Sequence, residues 1–236
     1  MHHSNPNNQP PLFGAALRAC LLTASLLLAA GNAMAQGAAL EAIDNNEAKQ
    51  RETAAQNRAN QAASGQRDAA KHFSAVAPGV VKDSRTGLEW MRCSVGQDWS
   101  EKSKTCTGSV RTYTWQGALD IANKLNSVGG YAGRTNWRVP TIRELQSLRY
   151  CSNGFVSETM GLPDGASVPK YCAEGYTQPT IAKTVFPNMD SDKYWYWTST
   201  PDAGSSANAW RVGFGDGYIN NDYYVRSLSS AVRLVR

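Results

Sequence analysis

The chain has 236 residues, 24 Lys+Arg against 19 Asp+Glu for a formal net charge of +5, 7 tryptophans, 10 tyrosines and 5 cysteines. That length suits one ordinary domain plus leader and linker segments, with enough aromatic volume for a real core. The positive balance is mild and no Lys/Arg-rich run is present, which excludes the basic stripe of a nucleic-acid binder. The charge reads first as solubility charge, with an acidic partner such as a sulfated polysaccharide as the functional alternative.

Residues 1–35 read as a secretory signal peptide. A polar opening ends at Arg18, an apolar run covers Ala19 to Ala30, and Ala33-Met34-Ala35 is an A-x-A cleavage site that places the mature start at Gln36. The apolar run is short for a bilayer, so no membrane span is expected after cleavage. Export governs the cysteines. With Cys20 removed, Cys93, Cys106, Cys151 and Cys172 remain, an even set that an oxidising compartment would pair. Of the three pairings, Cys93–Cys106 and Cys151–Cys172 are favoured because each closes a short polar, Gly-containing loop. A thiolate metal site lacks both C-x-x-C spacing and histidines, His72 being the one left after the leader.

Residues 36–72 are rich in Ala, Gln, Asn and alternating charge, with few large apolar residues after Ile43. They read as a solvated linker with transient helix, the alternative being a helical arm for homo-oligomerisation or docking. The folded domain spans 73–236. Val80-Val81-Lys82 and Leu88–Arg92 flank a turn at Asp83–Gly87 and predict a β-hairpin. Thr114 caps an amphipathic helix with Trp115, Ala118, Leu119, Ala122 and Leu125 on one face, which Gly129-Gly130 ends.

At Trp137–Leu145 a strand turns into a second helix running to about Tyr150. Thr141 and Glu144 have capping-box spacing, and Pro140 keeps Val139 extended. The irregular stretch from Cys151 to Asp192 is long enough to need the second disulfide as a pin. Aromatic and β-branched strands follow: Tyr194–Thr200, then Trp210-Arg211-Val212-Gly213-Phe214, whose alternation predicts one buried face and a solvent-facing Arg211.

In chain order, Asp83-x-Arg85-Thr86-Gly87-Leu88-x-Trp90, Thr114-Trp115-x-x-Ala118-Leu119, Asn136–Leu145, Trp197-Thr198-Ser199-Thr200 and Val232-Arg233-Leu234-Val235-Arg236 closely resemble the Legionella collagen-like protein C-terminal domain family, over roughly residues 80–236. The resemblance implies an α+β, C-type-lectin-like fold with two helices, short antiparallel strands and disulfide-pinned loops. It also implies adhesion, since the namesake is a surface adhesin whose C-terminal domain engages sulfated glycosaminoglycans. This chain lacks the collagen-like Gly-x-y tract. The junction at Trp137–Leu145 is also similar to that of the formylglycine-generating, sulfatase-modifying-factor branch of the fold.

The resulting expectation is an exported, non-catalytic module at the periplasm, outer surface or medium, binding a glycan or surface protein and no nucleic acid. Late arginines and tyrosines would form the site: Arg211, Tyr218, Tyr223, Tyr224, Arg226 and Arg233, guanidinium forks suiting sulfate or carboxylate and phenols stacking on sugars. No cofactor is expected. If a cation binds, it is calcium at Asp216, Asn220, Asn221 and Asp222; the Glu-Pro-Asn and Trp-Asn-Asp signatures of calcium-dependent lectins are absent. Trp90, Trp115, Trp137, Trp195, Trp197 and Trp210 read as core. The alternative is an assembly component of a pilus or secretion apparatus, docked through 36–72. An oxidase would need a free thiol that four paired cysteines deny.

Overall fold

The computed structural model describes residues 13–190, 193–221 and 226–236. Two compact units divide at Ala59/Asn60. Helix α1 (Phe13–Ala70) runs through the first unit and ends in the second. The segment read as a solvated linker is therefore helical as far as Ala70. Its described side chains before Asn60 are exposed, and Arg51 and Glu47 pair across one turn at 3.3 Å. Among the described residues no helix is long and apolar enough to cross a membrane.

The second unit begins upstream of the expected boundary at 73 because the end of α1 packs on its core. Ala69 and Ala70 touch the apolar cluster. Gln66, 6% exposed, donates to the Ile181 carbonyl (3.1 Å) and accepts from the Lys183 amide (2.9 Å), so its side-chain amide bonds like a strand residue. A Cβ at Gly65 would lie 1.5 Å from the Tyr150 hydroxyl. Glycine is what allows this close approach.

After α1 the chain forms β1 (Phe73–Ala77), β2 (Val80–Asp83) and β3 (Glu89–Met91), an antiparallel sheet whose β2–β3 hairpin has Val81 opposite Trp90. The hairpin lies where the turn residues predict it. Asp83, fully buried, closes that turn by accepting from the Arg85 amide and guanidinium. Strands β4 (Gln97–Ser100) and β5 (Thr105–Gly108) form a second hairpin, joined to the first by Cys93–Cys106. β6 (Thr112–Tyr113) leads into α2 (Trp115–Ser127), capped by the Thr114 side chain on the Gly117 amide and burying Ala118 and Ala122.

Helix α3 (Ile142–Gln146) has the complete capping box of Thr141 and Glu144 and buries Ile142 and Leu145. It ends four residues before the expected Tyr150. There the chain leaves the helix to pair across the core: Tyr150 N–H donates to Thr180 O, and the buried Arg149 donates to Gly217 O at 2.7 Å. Asn126 fastens the approach to this junction by bonding both backbone groups of Trp137.

The region after Cys151 carries β7 (Thr159–Gly161) and β8 (Ser167–Pro169) as a hairpin, inside the loop closed by Cys151–Cys172. Strands β9 (Trp195–Pro201), β10 (Ala209–Gly213), β11 (Ile219–Asn220) and β12 (Ser230–Ala231) join β6 in a five-stranded sheet ordered β11-β10-β9-β12-β6. β12 runs parallel to β9, and the other pairs are antiparallel. One apolar cluster gathers Trp90, Leu145, Phe186, Tyr196, Trp210 and Phe214. The other gathers Val80, Ala118, Trp137, Trp197 and Leu234. Every residue of β10 is buried, so both faces of the sheet are covered at its centre.

Candidate functional site

The burial of β10 overturns the solvent-facing placement of Arg211. It is 3% exposed, donates to Ser230 Oγ at 2.7 Å, and lies 4.9 Å and 5.2 Å from the Trp195 and Trp197 rings. Alternation along a strand exposes every second residue only when one face meets water, and here neither does. Arg233 is likewise corrected: it is fully buried, donates to the Met91 and Arg92 carbonyls, and sits over Phe186 at 4.7 Å. Burial pulls its pKa down to about 10. Both arginines are internal staples in the position expected of surface ligands.

The remaining predicted residues separate. Arg226 donates to Asn208 O and lies 4.0 Å over the half-buried Trp115. Asn220 is 8% exposed in β11. Asn221 donates to Asp202, while Asp216 at the opposite end of that hairpin accepts from the Tyr218 amide. Asp222, Tyr223 and Tyr224 lie outside the described residues. Among the described residues no group of three His, Cys, Asp or Glu side chains converges.

Tyr218 and Asp216 do meet at a shared place. Next to them a cavity of about 300 Å³ is lined by Tyr176, Gln178, Tyr194, Trp195, Gly213, Gly215 and Asp216. Its floor is bare because Gly213 has no side chain: a Cβ there would come 3.2 Å from Asp216 Oδ1 and 3.4 Å from the Trp195 ring. Trp195 starts β9 and is only partly buried, unlike Trp197 two residues on. Tyr218 stands edge-on to Trp195 at 6.0 Å, and Tyr171 backs Tyr218 at 5.9 Å. Lys193 reaches the Tyr194 ring at 5.1 Å, and the hydrogen bond with that phenol raises its pKa.

A shallow cup with aromatic walls, a carboxylate and a carboxamide can stack on one face of a ring and bond its hydroxyls. Sequence reasoning missed Tyr176, Gln178, Tyr194 and Gly213, and placed Trp195 in the core. The signal for Trp195 is its position at the first residue of a strand, where burial is less complete than in the strand interior.

These features define an α+β domain that presents loops and a small polar–aromatic cup from a tryptophan-rich core pinned by two disulfides. The family model for the Lcl C-terminal domain matches residues 79–236. The chain belongs to that family. No curated protein matches it.

Proposed function

We propose that this protein is an exported, non-catalytic recognition module of C-type-lectin-like architecture that binds glycans at the cell surface through the cup of Tyr176, Tyr194 and Trp195. The cup with its bare Gly213 floor is the observation that carries this reading. Membership of the Lcl C-terminal domain family supports a surface or adhesion role. Lys193, whose ammonium lies 5.1 Å from the Tyr194 ring, favours glycans bearing sulfate or carboxylate over neutral ones. The A-x-A site at Ala33–Ala35 and two disulfides support export. Pairing of Cys93, Cys106, Cys151 and Cys172 speaks against a thiol nucleophile of the oxidase branch.

The test is a glycan array comparing sulfated, carboxylated and neutral sugars at low and high salt, with and without a calcium chelator, using the wild type and Trp195→Ala. Binding of an acidic glycan should weaken at least about tenfold in Trp195→Ala and fall with salt. Equal binding by the two proteins would remove the cup from the mechanism. The chelator arm decides whether calcium takes part.

Helix α1 favours one second reading, an assembly component docked through the 36–72 arm, of which residues 36–59 belong to the first unit. Deleting residues 36–59 would then abolish assembly while the domain stays folded. Assembly that survives the deletion would exclude this reading.

A further inference from the structure

Helix α2 and its C-cap Val128 carry more apolar surface than the core buries. Ala118 and Ala122 are buried, yet Ile121, Leu125 and Val128 recur at i, i+4 and i+7 on the adjoining flank. Ile121 and Leu125 are half-buried, and Val128 is 73% exposed. This stripe forms one wall of a cavity of about 400 Å³, with Met91, Val95, Tyr131 and Leu234 completing the apolar lining. That volume is within the range of small-molecule pockets, which average several hundred cubic ångströms. The cavity lies against the Cys93–Cys106 hairpin and shares no lining residue with the aromatic cup.

Three charged residues line it: Arg111, Lys124 and Asp98. Among the described residues, no ion pair engages Arg111 or Lys124. Arg111 is held in place by its stem. It crosses Gly96, where an added Cβ would come 2.5 Å from Arg111 Cγ and the backbone has φ +98. Asp98 and Tyr131 both line the cavity; burial raises the Tyr131 pKa and the carboxylates of Asp98 and Glu101 raise it further. The lining thus combines two cations without an ion-pair partner, one anion, one phenol and an apolar stripe.

We infer that this cavity binds an amphipathic carboxylic acid, its alkyl or aryl body on the Ile121–Leu125–Val128 stripe and its carboxylate on Arg111 and Lys124. Charge complementarity selects an acid over an amine or a neutral lipid, because a carboxylate supplies the acceptors both cations lack. A concave site of about 400 Å³ suits a small molecule rather than a flat protein surface.

The test is calorimetric titration of the full disulfide-bonded chain with octanoate and octan-1-ol, with near-UV circular dichroism as the control for folding. Octanoate should bind saturably and octanol at least about tenfold more weakly, one decade per 1.4 kcal/mol. Arg111→Gln with Lys124→Gln should erase that preference. Val128→Asp, at an exposed position, should weaken both ligands by removing apolar wall, and octanoate the more because the new carboxylate repels it. Trp195→Ala should leave octanoate binding unchanged, which separates this site from the cup. Octanol binding as tightly as octanoate, no saturable octanoate binding by the folded protein, or a ligand-free dimer that buries Val128 would each overturn the inference.

Discussion

The Gln66 anchor makes the sharpest quantitative prediction. Gln66→Ala removes two hydrogen bonds and leaves the fully buried Ile181 carbonyl and the part-buried Lys183 amide without them. An orphaned buried group costs about 1–3 kcal/mol, and a part-buried one less, so the gross loss is about 3 kcal/mol. Freeing a glutamine side chain returns about 1 kcal/mol of rotamer entropy. The net expectation is about 2 kcal/mol of destabilisation, or a melting point lower by about 4–8 °C in a unit of this size.

Urea unfolding followed by tryptophan fluorescence measures it, with exposed Gln61→Ala as the control expected within about 0.5 kcal/mol of wild type. Gly65→Ala adds a sign test. Inside an isolated helix the change stabilises by about 0.5–1 kcal/mol, but here the new methyl meets the Tyr150 hydroxyl, so the expected sign is destabilising. In a Tyr150→Ala background it should turn stabilising. A Gln66→Ala effect below about 0.5 kcal/mol, together with a stabilising Gly65→Ala in the wild type, would refute docking of the α1 end.

Two further predictions concern the staples. Burial pushes the Glu144 pKa up, but the Arg138 fork at 2.6 and 2.7 Å and the Thr141 bonds outweigh it, so the net shift is downward from 4.5. A carboxyl with a depressed folded pKa contributes stability above its unfolded pKa and loses it as pH falls through the folded value. Glu144→Gln should therefore destabilise at pH 7, and its difference from wild type should shrink steadily below pH 4.5 in acid-dependent urea titrations. A constant difference across that range would count against the ion pair. Arg233→Met strips the donor from the Met91 and Arg92 carbonyls. It should cost about 3 kcal/mol by thermal unfolding, and glycan binding per folded molecule should be unchanged. Selective loss of binding in a folded Arg233→Met protein would show that this arginine acts at the site after all.

What was legible in the sequence was chemistry contained within a few residues. The Thr141–Glu144 box, the Thr114 cap and the turn after Asp83 each depend on neighbours no more than about five positions apart, and each stands as read. The two disulfides also follow from local spacing, since each closes a short loop. Residues 79–236 carry enough of these signals in order to show the family.

Burial was not legible, because it depends on what covers the second face of an element. Arg211 alternates like a surface residue but lies in a strand covered on both sides, and Arg233 and Gln66 bond backbone more than 100 positions away. The cup is likewise tertiary. It brings residues 176–178 and 194–195 against the turn at 213–216, and whether Trp195 is core or wall depends on how far burial extends along β9. Local sequence spacing determined the caps, turns and disulfide loops because their partners are neighbours in the chain. Only the packed layers decided which polar groups hold the protein together and which line the cup.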